Sequence, residues 1–80
     1  MNTKIAVISI IVDNPESVEE LNKLLHNYSE IIIGRLGLPY KERAISIISI
    51  AVDAPESIIG ELTDKIGSIE GISSNAAVSN

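Results

Sequence analysis

The sequence predicts an α+β fold: a four-stranded antiparallel sheet with two helices on one face, in the chain order β-α-β-β-α-β. Three observations predict it. First, one stretch is written twice. Ile5-Ala6-Val7-Ile8-Ser9-Ile10-Ile11-Val12-Asp13-Asn14-Pro15-Glu16-Ser17-Val18 returns forty residues later as Ile45-Ser46-Ile47-Ile48-Ser49-Ile50-Ala51-Val52-Asp53-Ala54-Pro55-Glu56-Ser57-Ile58, with nine of the fourteen pairs identical. Five of those nine sit on or beside an expected helix start, so the likeness exceeds shared aliphatic composition. Second, each copy passes from an aliphatic run of strand length to apolar residues at helical spacing. Third, 80 residues make one domain, and 45% of them are hydrophobic with only two aromatics, Tyr28 and Tyr40. The core is therefore aliphatic and rich in isoleucine, whose β-branched side chain suits a pleated sheet.

Residues 4–12 read as a strand apolar on both faces, hence central. Ala6, Ile8, Ile10 and Val12 form one set. Ile5, Val7, Ser9 and Ile11 form the other, which carries the serine and belongs on the less buried face. Asp13 and Glu16 are spaced as a capping box for a following helix, with Pro15 tolerated in its first turn. Val18, Leu21 and Leu25 mark one helical face. The helix ends near His26, with Asn27 as a left-handed C-cap.

Residues 30–38 predict a second strand, with Ile32, Gly34, Leu36 and Leu38 turned towards the helices and Ile31, Ile33, Arg35 and Gly37 away from them. Pro39-Tyr40-Lys41-Glu42 reads as a charged turn. The second copy then supplies a strand at 44–52, a second capping box at Asp53 and Glu56, a stripe of Ile58, Leu62 and Ile66, and Gly67 as C-cap. Gly71 turns the chain into a final, more polar strand over 72–78, as suits an edge. The two βαβ halves, about 4–38 and 44–79, make the ferredoxin-like arrangement of a single 1–80 domain. Its open face carries Val7, Ser9, Ile31, Ile33, Arg35, Ile47 and Ser49, a patch apolar enough to predict that a second copy covers it or that copies join along strand edges.

Composition narrows the function. A net charge of −5 opposes direct nucleic-acid binding, which needs basic groups to displace counterions from phosphate. Without cysteine, disulfide, iron–sulfur and zinc–thiolate sites are out of reach. No apolar run approaches the roughly 20 residues of a membrane helix, and the start of the chain lacks the pattern of a secretory signal. A cytoplasmic protein without cofactor is expected. No nucleophile, base and orienting group can be assembled, so the chain reads as a non-enzyme.

Three places could carry binding. Asp13 and Asn14 open an acidic loop, although capping accounts for most of that loop. His26, the one histidine, could donate a metal ligand completed by carboxylates or a symmetry mate; the plainer reading is a solvated group at a helix C-terminus. Gly34-Arg35-Leu36-Gly37-Leu38-Pro39-Tyr40 is the least ordinary stretch. Two strand glycines mark a bulge or a close approach by a ligand or another backbone, and Arg35 between them could hold a carboxylate or phosphate bidentately. Alternatively the glycines only bend an edge strand, and Arg35 pairs with an acidic neighbour. Gly34, Arg35, Gly37 and Tyr40 join Asp13 and Asn14 as candidate ligand-binding residues.

With Val-Ile-Ser-Ile-Ile-Val at 7–12, Gly-Arg-Leu-Gly-Leu-Pro-Tyr at 34–40 and Ile-Ser-Ile-Ile-Ser-Ile at 45–50, the chain resembles the small regulators of the iron-only hydrogenase system. Those are similar to ACT-type regulatory domains and to the C-terminal sensor domain of the nickel-responsive repressor. The resemblance implies a ferredoxin-like homo-oligomer, a homodimer or dimer of dimers, with a regulatory or ligand-sensing role. ACT domains often bind amino acids through the first strand–helix loop, which here would be Asp13 to Ser17, with Asn14 least explained by capping. The nickel sensor carries several histidines where this chain has His26 alone. The expected function is a small-molecule-binding regulatory module; the alternative is an interaction module that docks on a hydrogenase-maturation protein without a ligand.

Overall fold

A computed structural model describes residues 2–79. Strand β1 spans Lys4–Val12, helix α1 Val18–Asn27, β2 Ile32–Tyr40, β3 Ile45–Ala54, α2 Glu56–Gly67 and β4 Ile72–Val78. The strands form one sheet in the order β2-β3-β1-β4, and every neighbouring pair is antiparallel. The doubled strands occupy the two central positions, as their two-sided apolar character requires.

The register preserves the repeat. Ser9 pairs with its own repeat mate Ser49, one pair from the centre of the β1–β3 ladder. The β1–β4 pair Val12–Ile72 becomes, after the forty-residue shift, the β3–β2 pair Val52–Ile32. The two strand exits are also equivalent. The Asp13 N–H donates to the Gly71 carbonyl at 2.7 Å, and the Asp53 N–H to the Ile31 carbonyl at 3.0 Å. Each half thus ends its first strand on the entry to the other half's second strand.

One face of the sheet forms the core. Ala6, Ile8, Ile10 and Val12 of β1 and Ile48, Ile50, Val52 and Ala54 of β3 are buried under Leu21 and Leu25 of α1 and Ile59, Leu62 and Ile66 of α2. Val18 packs against this core as a partly buried member. In α2 the deepest residue of the first turn is Ile59 rather than Ile58, which is only partly buried. The shift follows from α2 beginning at Glu56.

The capping boxes do not form. At the first helix start Asn14, the residue without a duplicate, is the cap: its Oδ1 accepts from the Glu16 N–H at 3.1 Å. It opens a 3₁₀ turn, Pro15–Ser17, that leads into α1. At the second start Asp53 remains within β3, and Pro55 precedes α2 with no side-chain cap. The C-caps differ too. α1 runs through Asn27 to Tyr28 at φ −112°, and α2 through Gly67 to Ser68 at φ −82°. The left-handed positions among the described residues are Ala44 and Gly71.

The second strand departs furthest from expectation. It begins at Ile32 and includes Pro39 and Tyr40; the turn follows as a 3₁₀ segment, Lys41–Arg43. Ile32 pairs with Val52, but Gly34 pairs with Ala51, so Ile33 is an additional residue in the ladder. A single extra residue exchanges the two faces of everything beyond it. Arg35 and Gly37 therefore oppose Ile50 and Ile48 on the helix side, while Leu36, Leu38 and Tyr40 oppose Ser49, Ile47 and Ile45 on the open side. Leu36 is 60% exposed and Leu38 53%. Ile31, expected on the open face, packs against the core instead.

Candidate functional site

The bulge at Ile33 brings Arg35 under the edge of α1. Its Nη2 donates to the Asn22 Oδ1 at 3.1 Å. Asn22 stands one position after the buried Leu21, on the helical face that looks along the sheet towards β2. Around this contact lies a cleft of about 290 Å³ lined by Asn22, Leu25, His26, Ser29, Ile32 and Arg35. A larger, open groove of about 850 Å³ follows α1 along Pro15, Val18, Glu19, Asn22, Lys23, His26 and Asn27. The two share Asn22 and His26.

The cleft combines an apolar floor, Leu25 and Ile32, with a polar rim. The α1 C-terminus beside it does not expose its last carbonyls freely. Leu25 O accepts from the Tyr28 N–H at 3.0 Å and His26 O from the Ser29 N–H at 3.2 Å. Across the molecule, Tyr28 ties α1 to α2. Its hydroxyl donates to Glu61 Oε2 at 2.7 Å, and the Lys65 ammonium lies 5.5 Å from its ring centroid. The neighbouring Tyr28 hydroxyl and then the Glu61 carboxylate hold the Lys65 pKa above its ordinary value.

The other candidate residues sit elsewhere. Asp13 and Asn14 lie at the end of β1, against the α2–β4 turn, where a Cβ on Gly71 would come within 2.6 Å of the Asn14 Cβ. Arg35 is level with Ile50 and Ile8, so Asp13 is about 17 Å further along β1 and two strands, about 10 Å, across. Tyr40 stands at the hairpin end of β2, opposite Ile45 on the open face. Gly34 adjoins the bulge, and a Cβ on Gly34 or Gly37 would meet nothing within 4 Å. The candidates therefore divide between the α1–β2 cleft, the β1 exit loop and the hairpin. Asn22 and Ser29, which line the cleft with Arg35 and His26, carry no motif that would have singled them out. The repeat held one usable signal: subtracting forty from Ile72 places the start of β2 at Ile32.

No group of three or more His, Cys, Asp or Glu side chains able to hold a metal occurs among the described residues, so His26 has no assembled set of ligands beside it within one chain. No described helix is long and apolar enough to cross a membrane.

Comparison with known proteins agrees with this geometry. The family profile described as "TM1266-like: Iron-only hydrogenase system regulator, putative" matches residues 4–76. The solved structure of protein TM1266 from Thermotoga maritima superposes with a TM-score of 0.93 at 30% identity, covering 99% of this chain and 100% of that one. Proteins named "Putative nickel-responsive regulator" from Saccharolobus islandicus and Saccharolobus solfataricus are 36% identical over 66 residues, 82% of this chain and 49% of theirs. The chain spans about half the length of these curated relatives. The match over almost all of its described strands and helices, together with the shared fold, places this chain in the TM1266-like family of iron-only hydrogenase system regulators.

Proposed function

We propose that this chain is a regulatory module, not an enzyme, that assembles with copies of itself and responds to a small-molecule effector. The observation that carries the reading is the open face of the sheet. Leu38, Ile47 and Ile11 lie in one row across β2, β3 and β1, with Leu36 and Tyr40 flanking Leu38 along β2. All five are exposed. Among the strand positions of this face the one charged residue is Asp53, at the far end from the hairpin. A face whose one charge lies at its end can meet its own copy about a two-fold axis without like charges opposed at its centre. Four strands of about nine residues present a footprint on the order of 600 Å² from strand spacing and rise alone. That approaches the roughly 800 Å² per partner of a stable interface.

The regulatory half of the reading is supported by the family description and by the α1–β2 cleft, which gives a small ligand an apolar floor and a guanidinium hydrogen-bonded to Asn22. Light scattering tests the assembly: a dimer or tetramer is expected at micromolar concentration, and a monodisperse monomer refutes it. Thermal-shift screening against organic acids, amino acids, nucleotides and divalent metals tests the effector. Stabilisation by one class is expected, and none at millimolar ligand refutes it. A monomer that captures a hydrogenase-maturation protein in stoichiometric amount, with no ligand response, would instead establish the docking alternative.

A further inference from the structure

We propose that the α1–β2 cleft binds the carboxylate of a small organic acid, with the Arg35 guanidinium as its anchor. The proposal rests on the effector-binding reading and adds the place and the ligand class.

The first argument is the broken repeat. The mate of Arg35 under the forty-residue shift is Asn75, which pairs with Ser9 on the open face. Had β2 kept the register of β4, Arg35 would oppose Ser49 on that same face. The additional Ile33 turns it to the helix side instead. Ile33 is itself 62% exposed, so the bulge gains no core contact from that side chain. A bulge interrupts the ladder, and bulges serve to re-aim side chains. The side chain re-aimed here is Arg35.

The second argument is charge. The chain has eleven acidic residues, yet among the described residues no carboxylate lies within 4.0 Å of the Arg35 guanidinium, and the one ion pair is Lys4–Glu56. Its partner is the neutral Asn22 amide oxygen, which orients the fork while occupying one nitrogen. Further N–H donors remain to take a planar carboxylate.

The third argument is size and surroundings. A cleft of about 290 Å³ falls at or below the lower end of ordinary ligand pockets, which start at roughly 300 Å³. Leu25 and Ile32 offer an apolar surface for a short hydrocarbon body, while Ser29 and His26 offer polar atoms at its rim. The one guanidinium lining the cleft, in a chain of net charge −5, suits a monoanion. A polyphosphate would bring several charges to a single cation.

The test is a ¹⁵N–¹H NMR titration with acetate and propionate, using chloride and phosphate at matched ionic strength as controls. Saturable shifts are expected for the Arg35 Nε–H, the Asn22 side-chain amide and the backbone amides of Ser29 and Ile32, with the carboxylates only. Arg35→Ala is expected to weaken binding about tenfold or more, the loss of a charge-assisted hydrogen bond. Arg35→Lys should weaken it as well, because an ammonium lacks the bidentate fork. Asn22→Asp should block it by seating an internal carboxylate beside the guanidinium. Arg35 is exposed, so these variants retain the fold, and unchanged strand amide resonances would verify that. Equal response to chloride or phosphate, or carboxylate binding unaffected by Arg35→Ala, would overturn the proposal. An effector found by thermal shift that perturbs other residues would overturn the site and leave the effector reading standing. No ligand in either experiment would overturn both.

Discussion

Residues that are mates in the repeat do different work, and one pair of substitutions exposes this. Ser17 is buried and donates its hydroxyl to the Glu70 carbonyl at 2.6 Å. Its mate Ser57 is exposed on α2. Ser17→Ala is expected to cost about 1 kcal/mol in urea unfolding, because the Glu70 carbonyl loses its partner, whereas Ser57→Ala should fall within about 0.5 kcal/mol of zero. Two glycines outside the repeat pairing differ as sharply in their surroundings. Gly71 has φ +78°, and a Cβ there would press on Asn14 Cβ at 2.6 Å and Asn14 N at 3.3 Å. Gly71→Ala combines left-handed strain with a clash against the Asn14 Cβ and should lose about 2–3 kcal/mol. Gly60 is interior to α2, and a Cβ there would meet nothing within 4 Å. Gly60→Ala should therefore gain about 0.5–1 kcal/mol from helix propensity.

At the scale of elements, the helices are held to the sheet by buried aliphatic stripes and to each other by a polar brace. Tyr28, just past α1, reaches Glu61 and Lys65 of α2. Tyr28→Phe keeps the ring against the core but removes the hydroxyl, and is expected to lower stability by about 0.5–1 kcal/mol. The pH dependence follows from the sign of the Lys65 shift. Its pKa is raised in the folded state, so the folded chain favours the ammonium more than the unfolded chain does. The contribution is fully present below the ordinary lysine pKa and fades as pH rises through the higher folded value. Stability from this brace should be flat across neutral pH and decline only in the alkaline range, and Tyr28→Phe should lessen that decline in urea titrations at stepped pH. β2 belongs to this scale as well. As an edge strand it offers a template for further strand pairing, which its bulge and Pro39 oppose. β4, the other edge, is shorter and carries serines and Asn75 in place of large apolar groups.

For the whole molecule, the apolar open face decides behaviour in solution. Leu38 projects from the β2 end of the row formed with Ile47 and Ile11 and lies outside the core. Leu38→Asp should convert an assembled wild type to a folded protomer, with a lower mass by light scattering and an unchanged far-UV spectrum. A charge buried against its own copy would repel across the two-fold axis. The same variant leaves the α1–β2 cleft intact, so assembly and ligand response can be measured separately.

Much of this was legible in the chain itself. The duplicated stretch and its period of forty determined the order of elements, the central place of β1 and β3 and the identity of their buried residues, because side-chain alternation and helical spacing are local properties. The family resemblance rested on the same doubled strands and on the glycine-rich stretch at 34–40. Tertiary structure alone decided which way Arg35 faces. Gly34 and Gly37 mark β2 for a bulge, but a bulge is a mismatch between two strands, so its position is settled only by the pairing, and one added residue exchanged Arg35 for Leu36 and Leu38 on the open face. The same holds for the helix starts. Asp13 and Asp53 carry the sequence spacing of caps, but their backbone N–H groups are drawn to the Gly71 and Ile31 carbonyls of the opposite half. Those bonds exist only once distant strands have met.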